Sequence, residues 1–353
     1  MNAVTAPNLR ATLSPPTLPL SVLDLAPIAA GETAADALHH SLDLARHAEA
    51  LGYRRYWLAE HHNMDGLACS ATAVLVGHIA GGTRTIRVGS GGVMLPNHAP
   101  LVIAEQFGTL ATLYPDRIDL GLGRAPGTDR ATARALRRTL QGGDEDSFPQ
   151  DVLELQGYLD APDEHRPPEA VRAIPGIGTQ VPIWLLGSSL YSAQLAAYLG
   201  MPFAFASHFA PDQLMQALQV YRDTYKHSDS HPRPHAMVAV NVVAADDDAT
   251  ARFQFTSIQQ RFLGMVRGRR GPLPPPVADM DSLWSDPERA QVERMLAVSV
   301  VGGPATVRAG LQALAERTGA DELIVAGAMH DHVARLHSYA IAAACAPVAA
   351  SLR

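Results

Sequence analysis

Short apolar runs rich in β-branched residues alternate with longer segments of helical periodicity along most of this chain, and this alternation constrains the fold most strongly. The segment after each run has apolar residues at helical spacing, except where the chain becomes irregular. A strand followed by a helix and another strand favours a parallel sheet, so the pattern predicts an α/β protein. The eight predicted strands are Leu20–Leu25, Arg54–Ala59, Ile86–Gly89, Ile118–Gly121, Ile183–Leu186, Phe203–Ala206, Met237–Val243 and Leu323–Val325.

Eight strand–helix units predict a closed (β/α)8 TIM barrel, which takes about 250 residues. The chain has 353 residues, and we interpret 1–353 as one domain whose excess length lies in three places. These are an N-terminal tail at 1–18, an insertion after strand 4 at 125–180 and an irregular segment after strand 7 at 264–286. A doubly wound open sheet would need a glycine-rich dinucleotide loop after its first strand, but Leu25-Ala26-Pro27 stands there.

Charge and cysteine content exclude several classes of function. The chain has 28 Lys and Arg against 35 Asp and Glu, which leaves no broad basic surface for nucleic acid. Its two cysteines, Cys69 and Cys345, are too far apart in sequence to form a CxxC zinc motif. The sequence also lacks the features of a signal peptide and any apolar run of about 20 residues. We therefore expect a cytosolic protein that has no structural zinc and does not bind nucleic acid.

Polar and small residues follow strands 4 and 5, where a barrel carries its active site. Gly187, Ser188 and Ser189 open a predicted helix, with Ser192 one turn further on. The unpaired N–H groups at a helix start favour an anion, and Arg124 at the end of strand 4 could contact the same phosphate. The alternative is that a serine merely caps the helix.

Ser90, Gly91 and Gly92 remove bulky side chains where strand 3 ends. Such a segment lets the backbone approach a flat ligand closely, and it could hold a cis peptide bond. A simple tight turn is the other interpretation.

Adjacent His61 and His62 end strand 2. In extended chain their side chains point in opposite directions, so one imidazole is placed at the barrel mouth as an acid, base or hydrogen-bond donor. His330 and His332 resemble the HxH of TIM-barrel metal hydrolases. That motif stands on the first strand in those enzymes and needs further ligands, which this sequence does not supply, so no metal site is predicted.

Four strand-end motifs, taken together, resemble the bacterial luciferase-like flavin-dependent monooxygenases. The resemblance runs from Leu20 to Ala344 and is strongest to the single-chain, YhbW-like branch, in which Gly121–Asp129 and Phe205–Phe209 are typical. The four motifs are Trp57–His62, Val88–Pro96, Arg117–Arg124 and Leu186–Ser189.

This resemblance implies that His61 faces the flavin and assists catalysis. It also implies reduced FMN delivered by a separate reductase, oxygenation of a small organic substrate by O2 through a C4a-peroxyflavin, a homodimer, and a mobile lid at 264–286. The residues that it implies in cofactor binding are Ser90, Gly91 and Gly92 under the ring, Arg124, Gly187, Ser188, Ser189 and Ser192 at the phosphate, and Phe205, Ser207 and His208 beside the ring.

Luciferase itself has a glutamate where this chain has Ser188 and a reactive cysteine where it has Gly123. Light emission from a long-chain aldehyde is therefore not expected. An F420-dependent dehydrogenase of the same fold, with F420 in place of FMN, and a non-catalytic flavin-binding protein remain as alternatives.

Overall fold

A computed structural model describes residues 17–125, 130–136, 147–161, 167, 169–228 and 230–348. The strands in this part of the chain are β1 Leu20–Asp24, β2 Arg55–Leu58, β3 Arg87–Met94, β4 Ile118–Gly123, β5 Ile183–Gly187, β6 Phe203–Phe205, β7 Ala236–Ala244, β8 Ser299–Gly302 and β9 Glu322–Ala326. The α-helices are α1 Ala34–Ala50, α2 Thr72–Gly82, α3 Pro100–Leu113, α4 Arg130–Leu136, α5 Phe148–Leu159, α6 Leu190–Leu199, α7 Leu214–Asp223, α8 Asp248–Val266, α9 Asp286–Met295, α10 Pro304–Thr318 and α11 His332–Ala344.

Eight parallel strands close into a barrel, which confirms the predicted fold. Strands β1 to β6 pair in sequence order, β6 pairs with β7, β7 with β9, and β9 with β1. Strand β8 was not predicted. It pairs with Asn241–Ala244 of β7, a stretch that begins at Asn241, the last residue of β7 that pairs with β9. Strand β8 therefore extends the sheet without entering the barrel.

Side chains alternate between the barrel interior and the layer under the helices. A small interior cluster includes Trp57, Trp184 and Ala204. Phe203 and Phe205, on either side of Ala204, pack instead in the outer core. The phenyl ring of Phe203 lies 5.3 Å from the ring of Tyr221 in α7 and 6.2 Å from that of Phe205. Neither phenylalanine therefore faces the barrel mouth, which corrects the predicted place of Phe205 beside a bound ring.

Charged side chains are paired inside the barrel wall. The Arg55 guanidinium donates to Asp119 at 2.7 Å and to Glu322 at 2.8 Å, and all three side chains are buried. Trp57 Nε1 also donates to Asp119 at 3.1 Å. This network ties β2, β4 and β9 together from within.

The predicted insertion at 125–180 is not wholly irregular. Helix α5 lies within it and packs on α3, burying four apolar residues at helical spacing. These are Phe148, Val152, Leu155 and Leu159. Parts of this insertion, including 126–129, and 1–16 of the predicted tail lie outside the described residues.

The second irregular segment begins after Val266, where α8 ends, and runs to Ser285, the N-cap of α9. We call 267–285 the cover segment. Leu273 is 1% exposed and its N–H donates to the Ile28 carbonyl at 2.8 Å, while Ala30 N–H donates back to Leu273 at 2.8 Å. The cover segment is therefore docked on the chain that follows β1. Within the described residues, no helix is long and apolar enough to cross a bilayer.

Candidate active site

A cavity of about 880 Å³ opens at the carboxyl ends of the barrel strands, beneath the cover segment. This volume lies within the usual range of small-molecule sites, roughly 300–1,000 Å³. Among the described residues its lining contains no Asp or Glu. Six arginines line it: Arg124, Arg261, Arg267, Arg269, Arg270 and Arg335. The cavity is therefore electropositive and suited to an anionic ligand.

One corner of the cavity is the turn from β5 into α6, with Gly187, Ser188, Ser189 and Ser192 in its lining. Ser189 is the N-cap of α6, but its side chain makes no capping hydrogen bond. The first N–H groups of the helix therefore keep their capacity to bind an anion. A Cβ at Gly187 would lie 2.0 Å from Ser192 Oγ, so glycine makes room for that hydroxyl. The simple capping interpretation is thus not supported by the geometry.

Arg124 lies at the neighbouring strand end. Its guanidinium carbon is 4.1 Å from the centroid of the Tyr191 ring in the first turn of α6, a stacked arrangement that fixes its direction. No carboxylate partner of Arg124 occurs within the described ranges. The turn and the arginine together form a corner that fits a phosphate group, and we call them the phosphate corner.

The end of β3 forms part of the cavity wall through Gly91 and Gly92. The peptide bond between them is cis, as the sequence suggested, and the register with β4 shifts at this point. A Cβ at Gly91 would lie 2.8 Å from a methyl of Leu23, and one at Gly92 would lie 2.7 Å from the Gly121 carbonyl. Only glycine fits either position without rearrangement, and the bare backbone leaves space for a flat ligand.

Ser90 does not line the cavity. It is fully buried, and its hydroxyl donates to the Gly121 carbonyl at 2.9 Å and accepts from the Gly121 N–H at 3.0 Å. Its place is therefore behind the Gly91–Gly92 wall, which it fixes to β4, and not against a ligand.

The adjacent histidines after β2 point in different directions, as extended chain requires. His61 lines the cavity. His62 Nε2 lies 2.8 Å from Glu60 Oε1, and the Glu60 carboxylate also accepts from the Met94 N–H at 3.0 Å and bonds His98 at 2.9 Å. Burial raises the pKa of Glu60, but the contacts with His98 and His62 outweigh it and lower that pKa overall. Glu60 is thus an ionised anchor that holds the ends of β2 and β3 together.

His208, after β6, also lines the cavity. Burial lowers its pKa to about 3, and electrostatic interactions with His61 and Arg261 act in the same direction, so this imidazole is neutral at physiological pH. Its Nδ1 has no hydrogen-bond partner among the described residues. Asn241 holds the backbone here by donating to the His208 carbonyl at 2.5 Å.

Ser207 was predicted to flank a ring, but it is buried outside the cavity lining. Its hydroxyl donates to the Ala239 carbonyl at 2.5 Å. Like Ser90, it positions backbone at the mouth and has no exposure to a ligand.

Arg335 and Arg261 are charged cavity residues that the sequence analysis did not single out. Arg335 reaches from α11 and donates to Asp24 at 2.8 Å and to the Gly327 carbonyl at 2.7 Å. Arg261 projects from α8 into the cavity. Both lie on helices, among polar and apolar neighbours. The sequence around an arginine that faces a cavity does not differ there from the sequence around one that faces solvent.

His330 and His332 lie away from the cavity lining. His330 Nε2 is 3.2 Å from the Ala30 carbonyl, and His332 bonds Asp43 at 2.9 Å and stacks on His40 at 4.0 Å. No group of three or more His, Cys, Asp or Glu in the described part of the chain is placed to hold a metal ion.

The cavity as a whole fits a flat ligand that carries a phosphate. The phosphate corner supplies N–H groups, hydroxyls and a guanidinium, the glycines of β3 supply an open wall, and Leu23, Met94 and Leu186 supply apolar surface. The residues present therefore suit the FMN that the sequence resemblance implies.

Comparison with known proteins points the same way. A family model for luciferase-like monooxygenases matches residues 18–322. The luciferase-like monooxygenase of Escherichia coli (strain K12) is 59% identical over 326 residues, which cover 92% of this chain and 96% of that protein. An N-acetyl-S-alkylcysteine monooxygenase of Bacillus subtilis (strain 168) is 42% identical over 217 residues, or 61% of this chain and 63% of that protein. The crystal structure of apo-MsnO8 superposes with a TM-score of 0.86 at 39% identity, covering 93% of this chain and 98% of that one.

Proposed function

This chain belongs to the luciferase-like monooxygenase family, and we propose that it uses reduced FMN and O2 to oxygenate a small organic substrate. The phosphate corner carries the proposal. The start of α6 is uncapped, Arg124 beside it has no carboxylate partner among the described residues, and no described carboxylate lines the cavity, so this corner is suited to the dianionic phosphate of FMN.

In this proposal the phosphate is held by the N–H groups at Ser188 and Ser189, the Ser192 hydroxyl and the Arg124 guanidinium. The ring lies against Gly91 and Gly92, with His208 nearby. When bound, reduced FMN supplies two electrons and the capacity to activate O2.

The chain's own contribution is to orient the ring, exclude water and place a proton-transfer group. His61 is the residue that we assign to proton transfer, because it is the histidine of the adjacent pair that faces the cavity. The cover segment closes the cavity from above through its docking on Ile28 and Ala30, and water exclusion protects reactive oxygen species from premature breakdown. We further propose that 267–285 moves as a lid to admit the substrate.

The reduced cofactor would come from a separate flavin reductase, because the sequence has no glycine-rich NAD(P)H loop after its first strand. We also propose a homodimer, as the resemblance implies. A relative named for oxygenation of N-acetyl-S-alkylcysteine supports a small organic substrate for this chain as well.

Binding of three ligands tests the cofactor assignment. We expect the protein to bind FMN more tightly than riboflavin, which lacks the phosphate, and more tightly than F420. In a second step, reduced FMN is supplied with O2, and oxygen uptake and product mass are followed over a panel of small thioethers, ketones and aldehydes. Tighter binding of F420 than of FMN would replace the proposal by the dehydrogenase alternative. FMN binding without oxygenation of any panel compound would favour a non-catalytic role.

A further inference from the structure

Arg261 differs from those cavity arginines that have a described partner: Arg124 is stacked on Tyr191. Arg335 is paired with Asp24 at 2.8 Å and Arg267 with Glu288 at 2.7 Å. Arg261 is half-buried on α8 and lines the cavity, yet within the described ranges it has no ion pair, hydrogen bond or stacked aromatic ring. A guanidinium withdrawn from water is costly unless an anion accompanies it.

The ionisable groups around Arg261 supply no such anion. Its electrostatic neighbours in the described chain are Cys69, Arg335 and His208. Burial raises the pKa of the Cys69 thiol to about 12, so the thiol is uncharged at physiological pH, and His208 is neutral. Arg335 adds a second positive charge. None of these three described neighbours is an anion, and the nearby Asp24 carboxylate is already bonded to Arg335.

A phosphate at the phosphate corner has Arg124 as its own cation. Of the neighbours of Arg261, His208 follows β6 beside β5, but the other two are placed on the far side of the barrel mouth. Arg261 lies near Cys69, which follows β2, and near Arg335, which contacts Asp24 at the end of β1. The phosphate corner follows β4 and β5. In the closed order of the barrel strands, β5 lies opposite β1.

We propose that Arg261 binds a carboxylate group of the substrate, so that the substrate class of this enzyme is a small organic acid. This inference rests on the proposed function, since it concerns the substrate of that same cavity. A guanidinium presents two parallel N–H donors that match the two carboxylate oxygens. The unpartnered Nδ1 of His208 offers a further polar contact. Arg261 and His61 line the same cavity, and both contribute to lowering the pKa of His208.

The test is calorimetric titration of the FMN-saturated protein with a series of straight-chain carboxylic acids, from acetate to octanoate, and with their primary amides. Wild-type protein should bind at least one acid about 10–100-fold more tightly than its amide, the value expected for a charge-assisted hydrogen-bonded pair. Arg261→Met should remove this preference, leave amide binding unchanged and leave FMN affinity unchanged. Arg261→Lys should retain part of the preference.

Arg269→Met is the matched control, because it removes the same charge from the rim of the same cavity. Equal loss of the acid preference in this control would overturn the inference, since the effect would then be general electrostatics. It would also be overturned if no wild-type acid bound better than its amide, or if Arg261→Met weakened reduced FMN but not the acid. The wild-type comparison stands even if Arg261→Met does not fold. Absence of FMN binding would refute the proposed function but not the inference about Arg261. Titration of the protein without FMN would then still measure its preference for an acid over the amide.

Discussion

The carbonyl oxygen of Gly271 lies only 2.1 Å from the position that a Cβ atom at residue 66 would take. Gly271 belongs to the cover segment and Gly66 to the loop after β2, and both line the cavity. The Gly66 carbonyl also accepts from the Ile28 N–H at 3.0 Å. Close backbone contact at this point is therefore part of the way in which the cover segment closes the barrel mouth.

Gly66→Ala should displace the cover segment from its docked position. The added methyl group meets backbone and not a flexible side chain, so the two hydrogen bonds between Leu273 and 28–30 should weaken. Their combined loss is worth about 1–3 kcal/mol. We expect faster FMN dissociation, more hydrogen peroxide per O2 consumed and faster proteolysis within 267–285.

Gly271→Ala is the control, because a Cβ there meets no atom within 4 Å. It should behave like the wild type in all three measurements. If Gly66→Ala and Gly271→Ala gave the same dissociation rate for FMN, docking of the cover segment would not control access to the cavity.

Arg124→Met should weaken FMN binding by about 1.5–3 kcal/mol, the worth of a hydrogen bond to a charged group. Riboflavin has no phosphate, so its affinity should not change, and the ratio of the two dissociation constants isolates the phosphate contact. Fluorescence titration of both ligands measures that ratio. A parallel loss of riboflavin affinity would mean that Arg124 supports the fold of the corner and not the phosphate.

His61→Ala and His62→Ala form a matched pair at adjacent positions. Removal of His61 should lower the oxygenation rate about 10²–10⁴-fold, the usual contribution of a general acid or base. His62→Ala removes a contact with Glu60 and should instead lower the free energy of unfolding by about 1 kcal/mol. Single-turnover rates and denaturant titrations of both variants check this division, which fails if the two variants lose the same fraction of the rate.

Much of this architecture could be predicted from sequence because it depends on local periodicity. The eight barrel strands, the anion-suited turn at Gly187–Ser189 and the cis peptide after Gly91 each have a signal within a few residues. Strand β8 was missed although Val300 and Val301 are β-branched, because it is not one of the eight strand–helix units and its partner is the far half of β7. Pairing of that kind depends on tertiary structure.

Phe205 illustrates a second limit. Alternation along β6 predicts that Phe203 and Phe205 share one face, but not which face is inside. The interior at this level is filled by Trp57 and Trp184, so the alanine between the phenylalanines faces inward. Arg261 illustrates a third limit, because its lack of a partner becomes visible only when all elements around the mouth are assembled.

Glu49 makes the stability of the protein depend on pH. Its carboxylate accepts the backbone N–H groups of Arg84, Thr85 and Ile86 at 2.8, 2.6 and 3.0 Å, which joins the end of α1 to the connection before β3. Burial raises the pKa of Glu49, but these N–H donors outweigh it and lower the pKa from 4.5 to about 2. Because the pKa is lower in the folded state, the carboxylate stabilises the fold above its unfolded pKa. That contribution is lost as pH falls from about 4.5 to about 2.

Glu49→Gln should therefore lower the free energy of unfolding at pH 7 by about 1–2 kcal/mol, a value already reduced for the partial exposure of this group. The difference between wild type and variant should shrink as pH is lowered through this window, because the wild-type carboxylate becomes protonated. Denaturant titrations of the wild type and of Glu49→Gln at pH 7, 4 and 3 measure this difference in the free energy of unfolding. Glu316→Gln, which removes the charge from an exposed contact with Gln312 within one helix, is the control and should show no comparable change. A difference for Glu49→Gln that stayed constant from pH 7 to pH 3 would mean that shape, and not charge, carries the contribution.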